Sequence, residues 1–272
     1  MTAGIAARRA GAGEVVPALA AAAALGPYFE IVTDPAEQAD PTWRHLPERD
    51  TGRLAGLVDA YATRLGTGER RVAASILFQG LAARLWSPVI VAAARGVVPD
   101  LSSLHWRWTP GAPIALWLDA PAGWLPPSDP GRAAGPSPKA GTPAPPDPAG
   151  SAGPAGSSGS VDMAGLAGLV HHEVVERQLR PLRETLLGIV RLADGLLWGN
   201  AASALAGTLR AAAQDRDTAA PVRSVVGELL TREPLAGTGS FGRQGFVRRS
   251  CCLYYRVPPG GEMCGDCALL RR

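Results

Sequence analysis

Apolar residues at helical spacing recur along most of this chain and predict a mainly helical protein. Between 53 and 65 they follow the i, i+3, i+4, i+7 pattern of one buried helix face, with Asp50 or Thr51 as the N-cap. An Ala-rich stretch predicts an N-terminal helix that ends at Gly26-Pro27. The same reasoning predicts helices over 13–28, 53–65, 69–86 with a continuation over 89–95 beyond Pro88, 162–180, 182–198, 201–213 and 221–232.

Alternating apolar and polar residues predict a small amount of strand. LHWRW (104–108) and IALWL (114–118) flank the turn sequence TPGAP (109–113), so they predict a Trp-rich β-hairpin. A short extended piece is expected near 28–32. LYYRV (253–257) is interpreted as a further strand and PPGG (258–261) as a turn.

Residues 120–160 differ in composition from the rest of the chain. Gly, Pro, Ala and Ser dominate this stretch, which predicts a disordered linker or insertion. It separates an N-terminal helical and hairpin region (1–119) from a C-terminal helical region (161–240), followed by a cysteine-rich segment (241–272). The predicted class is therefore α+β, predominantly helical, ending in a small cysteine-rich unit.

Charge adds one local feature. The net charge is +3, yet 241–272 alone contains six arginines against two carboxylates. No basic stripe extends beyond this segment, which argues against a nucleic-acid surface. No run reaches the ~18 uncharged apolar residues of a membrane span, so no transmembrane helix is expected. Arg8-Arg9 before 15–26 resembles a twin-arginine export signal only faintly, and a helix packed on the domain is preferred.

The cysteines carry the chemistry. All four lie in the last 22 residues, as the adjacent pair Cys251-Cys252 and the C-x-x-C pair Cys264 and Cys267. Such clustering does not resemble the dispersed cysteines of a secreted disulfide framework, so a metal site in the cytoplasm is favoured. Structural zinc usually takes two C-x(2–4)-C pairs, and the adjacent pair does not fit that form. A two-iron core accommodates it more easily, with zinc and a redox thiol pair as alternatives.

Residues around the cysteines are interpreted in the same light. Arg248, Arg249 and Arg256 could offset the negative charge of an iron–sulfur cluster or attract an anionic substrate or partner, or they could simply be solvated. Gly265 is expected to let the backbone wrap closely around a sulfur.

Two further motifs are set aside. GTGSFG (237–242) matches G-x-G-x-x-G but lacks the flanking strand and helix of a dinucleotide site, so it is interpreted as a flexible lead-in. His172 and Glu176 lie one helical turn apart without the H-E-x-x-H pattern, and a solvated helix face is the preferred interpretation.

The segment RRSCCLYYRVPPGGEMCGDC resembles the C-terminal signature of the FhuF-like ferric siderophore reductases. LLWGN (196–200) adds a weaker likeness upstream. The resemblance implies a [2Fe–2S] cluster bound by Cys251, Cys252, Cys264 and Cys267. This chain has eleven residues between the two pairs, one more than the family pattern, and the extra residue falls in the Pro-Gly turn.

The resemblance also implies a function. It predicts one-electron reduction of a ferric siderophore, of the hydroxamate type, and release of Fe(II) in the cytoplasm, with a peripheral position at the inner face of the membrane as a second option. Since the chain shows no P-loop or Rossmann motif, electrons are expected from a separate donor such as a ferredoxin or flavoprotein reductase. A non-catalytic iron–sulfur or zinc-binding regulatory or scaffold protein is the alternative.

Overall fold

The computed structural model describes residues 7–126 and 162–271, apart from 214, 244 and 261. It is 56% helical, which agrees with the predicted α+β, mainly helical class. The α-helices are α1 (Ala12–Ala23), α2 (Thr51–Arg64), α3 (Arg70–Ala94), α4 (Met163–His171), α5 (Arg180–Ile189), α6 (Asp194–Ala212) and α7 (Arg216–Leu229). The strands are β1 (Arg8–Ala10), β2 (Arg44–His45), β3 (Val98–Pro99), β4 (Leu104–Arg107), β5 (Ala115–Leu118), β6 (Gly123–Leu125), β7 (Gly239–Gly242) and β8 (Gly245–Arg248).

Helix α3 is the centre of the core. It packs against α1, α2, α6 and α7, so elements from both sides of the Pro-rich stretch share one hydrophobic core. Trp86 on α3 is fully buried and donates its Nε1 hydrogen to the carbonyl of Ala201 on α6, over 3.1 Å. The helix continues through Pro88, where the sequence predicted an end or a kink. By length and composition α3 could cross a membrane, and 78% of its most apolar window is buried inside the protein.

Two small antiparallel sheets cover the N-terminal part. The predicted Trp-rich hairpin is confirmed as β4 and β5, with Trp106 opposite Leu116, and β2 adds a third strand. A second sheet has the order β1-β6-β3, and its central strand Gly123–Leu125 lies at the start of the predicted linker. Gly123 is required there, because a Cβ would lie 2.5 Å from the carbonyl oxygen of Val98. The rest of the predicted linker, 127–160, lies outside the described residues.

A buried arginine ties the segment after α1 to the core. Arg84 on α3 donates hydrogen bonds to the carbonyls of Pro27, Glu30 and Ile114 at 2.6–2.7 Å. Burial lowers the pKa of this guanidinium to about 10. Pro27–Phe29 form a 3₁₀ turn. This turn lies where the sequence predicted the end of the first helix and the start of an extended piece.

Several predicted helix boundaries are wrong. The helix predicted over 162–180 is α4 followed by a π-helical stretch over His172–Leu179, and it continues without a break into α5. The next break falls at 190–193 instead of near 198–201, so LLWGN lies inside α6. Apolar residues fill both predicted helices, so the periodicity gave no sign of where the chain turns.

Two predictions near the cysteines are also wrong. GTGSFG is not a loop throughout, since Gly239–Gly242 pairs with Gly245–Arg248 as a β-hairpin. The strand predicted over 253–257 is a 3₁₀ turn over Tyr254–Arg256. Leu253 precedes it with a φ of 68°, a left-handed conformation that turns the chain away from an extended path.

Candidate metal centre

The cysteine segment begins where β8 ends and lies against α6. Its two ends are joined by a buried ion pair between Arg248, 1% exposed, and Asp266, 5% exposed. The Nε and Nη2 atoms of Arg248 both reach Oδ2 of Asp266, at 3.1 and 2.9 Å, and its backbone N–H donates to the Asp266 carbonyl at 3.2 Å. This pairing fixes the distance between Arg248, three positions before the first cysteine pair, and Asp266, inside the second pair.

Helix α6 supplies the other partners of the arginine. Arg248 donates from Nη1 to Oδ1 of Asn200 at 2.5 Å and from Nη2 to the hydroxyl of Ser203. Both acceptors are buried polar groups on α6. The guanidinium therefore holds the cysteine segment against α6, and through Asp266 it also holds the two ends of that segment together.

A second polar chain reaches the backbone of Cys252. Asn200 donates its Nδ2 hydrogens to the carbonyl and to the hydroxyl oxygen of Ser75 on α3, each at 2.9 Å. The Ser75 hydroxyl donates to the carbonyl of Cys252 at 2.6 Å. Asn200 thus links the Arg248 side chain to the position of a cysteine, and all of these groups are buried.

Close packing of α6 on the segment explains one glycine. A Cβ at Gly199 would lie 2.2 Å from the hydroxyl oxygen of Ser250, so the Ser250 side chain would have to move away. The same hydroxyl donates to the Gly195 carbonyl at 2.8 Å. Within LLWGN, Gly199 therefore allows the cysteine segment to lie close to α6, and Asn200 holds the segment there through its hydrogen bonds.

The four sulfurs occupy two kinds of environment. Cys252 and Cys267 are buried, whereas Cys251 and Cys264 are partly exposed. Sγ of Cys252 lies 3.5 Å from Sγ of Cys264. The other two sulfurs accept backbone hydrogen bonds, Cys251 from the N–H of Leu253 at 3.3 Å and Cys267 from that of Leu269 at 3.4 Å.

Local charges and hydrogen bonds shift the pKa values of these groups. The hydrogen bond from Cys264 lowers the pKa of Cys252, with help from the nearby Arg248 charge, and the same bond raises the pKa of Cys264. Burial raises the pKa of Cys251. Burial would also raise the pKa of Asp266, but the Arg248 charge and hydrogen bonds outweigh it and lower that pKa overall.

The three arginines singled out in the sequence are in different places. Arg248 is the buried residue just described. Arg249 is exposed, and its backbone N–H bonds to the carbonyl of Thr238. Arg256 forms an ion pair with Glu69 at 2.7 Å, each about one-third exposed. A Cβ at Gly265 would meet no atom within 4 Å apart from those of its two chain neighbours, and the role expected for Gly265 stays a prediction.

The donor set fits a two-iron cluster. Two sulfurs on one tetrahedral metal, each bonded at ~2.3 Å, lie about 3.8 Å apart, close to the separation of Cys252 and Cys264. Hydrogen bonds to the other two sulfurs are of the kind that stabilises cluster thiolates. Within the described ranges, no three His, Cys, Asp or Glu side chains converge as a single-ion site.

Sequence reasoning missed the residues that support the cysteines. Ser75, Asn200, Ser203 and Asp266 were not singled out, although Asn200 belongs to LLWGN and Asp266 lies inside the C-x-x-C pair. A lone polar residue within an apolar helical sequence, such as Asn200 in α6, was the signal available for one of them. His172 and Glu176 lie on the π-helical stretch, where Glu176 pairs with Arg180 at 2.7 Å.

Comparison with known proteins adds a family for this segment. Residues 248–269 match the FhuF 2Fe-2S C-terminal domain. No curated protein and no solved structure shows a significant match to the chain. The matched range runs from Arg248 past Asp266 and includes all four cysteines, and it indicates a [2Fe–2S] cluster as the cofactor.

Proposed function

We propose that this chain, which carries a FhuF 2Fe-2S C-terminal domain at residues 248–269, is an iron–sulfur oxidoreductase that reduces ferric siderophores. One observation carries the proposal: a four-cysteine segment of this family is fixed to the core by the buried Arg248–Asp266 pair. Cys251, Cys252, Cys264 and Cys267 are the proposed ligands.

The chemistry suits release of iron. When bound, the [2Fe–2S] cluster supplies a one-electron couple. Siderophores hold Fe(III) through hard oxygen donors and hold Fe(II) far more weakly, so the addition of one electron to Fe(III) loosens the chelate. Each ~59 mV of driving force changes the one-electron equilibrium tenfold.

The burial pattern supports exchange of electrons at the surface. Cys251 and Cys264 are partly exposed while Cys252 and Cys267 face the core, so one edge of the site is accessible. The proposed substrate is a ferric hydroxamate, and the proposed electron source is a separate ferredoxin or flavoprotein reductase. We place the reaction in the cytoplasm, either free or peripheral at the inner face of the membrane.

The test combines composition with turnover. Protein purified without oxygen should contain iron and acid-labile sulfide, and after reduction with dithionite it should transfer electrons to a ferric trihydroxamate, with Fe(II) trapped by a ferrous chelator. Cys264→Ser should lose the cluster, while the neighbouring Met263→Leu should keep it. Zinc alone, or reoxidation no faster with the ferric chelate than with buffer, would favour the non-catalytic regulatory or scaffold alternative.

A further inference from the structure

A groove of about 490 Å³ lies beside Cys264. It is formed by the turn after α1, by α3, by α6 and by the loop that contains Cys264 to Asp266. We call it the Cys264 groove. Its volume falls within the ~300–1,000 Å³ of small-molecule sites. The lining of this groove includes Tyr28, Gln79, Arg210, Cys264 and Asp266.

The groove gives direct access to a proposed cluster ligand. Cys264 is partly exposed and forms part of its wall. A molecule in the groove would therefore contact a sulfur ligand of the cluster, and the electron would have only a short distance to travel. A surface site elsewhere on the chain would lack this contact.

The charges of the lining favour one class of ligand. Asp266 is neutralised by Arg248, so it offers no free negative charge. Arg210 is exposed and makes no ion pair or hydrogen bond with any residue that the structure describes. Tyr28 is 49% exposed, and Gln79 adds a side-chain amide. The groove thus presents one free guanidinium and neutral polar groups, which complement oxygen-rich molecules of neutral or negative charge.

Building on the proposed function, we infer that the Cys264 groove is where the ferric chelate docks. Among chelates of equal shape, the Arg210 guanidinium shifts the preference of the groove toward neutral and negatively charged ones, in opposition to the negative charge of the cluster itself. Arg210 is a specificity residue here and takes no part in electron transfer.

The first experiment measures binding apart from reduction. A gallium(III) trihydroxamate has the charge and shape of the ferric complex but cannot be reduced, so calorimetric titration of the cluster-loaded protein reports docking alone. Gly207→Trp would fill the groove, and the Cβ at Gly207 would lie 3.9 Å from its nearest atom, Nη2 of Arg210, an ordinary contact. The matched control is Gly188→Trp on the exposed surface of α5, outside the groove, where a Cβ meets no atom within 4 Å.

Gly207→Trp should weaken gallium chelate binding at least about tenfold, because the bulky side chain occupies the site, while Gly188→Trp stays within about twofold. Iron content and the visible spectrum of both variants should match the parent. Equal binding by Gly207→Trp and the parent, or loss of binding in Gly188→Trp alone, would overturn the inference.

A second experiment tests the charge selection. One linear trihydroxamate with its terminal amine free, acetylated or succinylated gives gallium complexes of positive, neutral and negative charge with the same metal coordination. The ratios of their dissociation constants in the parent combine the Arg210 charge with the negative charge of the cluster. Arg210→Gln should shift these ratios toward the positive complex by about two- to fivefold a step, whereas Arg49→Gln, at an exposed arginine that lines a different cavity, should leave them unchanged. Unchanged ratios in Arg210→Gln refute the assigned selection.

These outcomes separate the two proposals. If the parent reduces ferric chelates while gallium binding is indifferent to Gly207→Trp, the docking site is wrong and the function stands. If gallium chelates bind in the groove but the ferric forms are never reduced, the docking site stands and the function is wrong.

Discussion

The buried Arg248–Asp266 pair should determine how long the chain keeps its cluster. Arg248→Met removes the guanidinium and leaves the Asp266 carboxylate 5% exposed without its counter-charge. Breaking one partner of a buried pair costs about 3–5 kcal/mol. Because ~1.4 kcal/mol is a factor of ten, opening of the cysteine segment should become about 10²–10⁴ times more frequent.

Cluster loss provides the assay. The cluster-loaded protein is mixed with an excess of iron chelator, and the decay of the visible absorption gives a rate for the parent and each variant. Arg256→Met is the matched control, since its ion pair with Glu69 is about one-third exposed and is worth ~0–1 kcal/mol. We expect a change below about fivefold for that control.

A double variant separates charge from packing. If the unpaired Asp266 carboxylate is the cause, Arg248→Met combined with Asp266→Leu should recover part of the lost lifetime, because neither charge is then buried alone. Equal cluster lifetimes in Arg248→Met and Arg256→Met would refute the reasoning.

Three further predictions concern the scaffold. Gly199→Ala should cost cluster content because its Cβ would lie 2.2 Å from the Ser250 hydroxyl, and Gly199→Ala with Ser250→Ala should restore it, as measured by iron per chain. Arg84→Met should lower the free energy of unfolding in urea by about 3 kcal/mol or more, since three carbonyls lose their donor, and no change would contradict this. Burial raises the pKa of Glu173 above 4.5, so the folded state holds that proton more tightly than the unfolded state. The free energy of unfolding should therefore fall as pH rises from about 4.5 through the raised value, and Glu173→Gln should lack this component when urea midpoints are compared.

Three predictions rested on residue spacing or on a turn sequence, and the structure and the family match agree with them. Apolar spacing located α2, and Asp50 caps it by accepting a hydrogen bond from the backbone N–H of Arg53 at 3.0 Å. Alternation around a Pro-Gly turn located the hairpin of β4 and β5. The cysteine spacing and its family resemblance indicated the cofactor that the family match supports.

Predictions failed where local preference meets constraints from distant residues. Aromatic and β-branched residues at 253–257 favour a strand, yet Leu253 takes a φ of 68° while its N–H bonds to the Cys251 sulfur. No local pattern shows that this turn is required. The partners of Arg248 lie 18 to 48 positions away along the chain, so the sequence could show its charge but not its burial.

The cysteine segment depends on the whole core for its shape. The family match spans only 248–269, and a piece below about 40 residues rarely forms a stable core unaided. Ser75 on α3 holds the Cys252 carbonyl, and Asn200 on α6 holds both Ser75 and Arg248. Since α3 and α6 come from opposite sides of the Pro-rich stretch, both parts of the chain are needed to position the sulfurs. Loss of the Trp86 hydrogen bond to Ala201 would change the α3–α6 contact. It should therefore shift the positions of the sulfurs although no cysteine is altered.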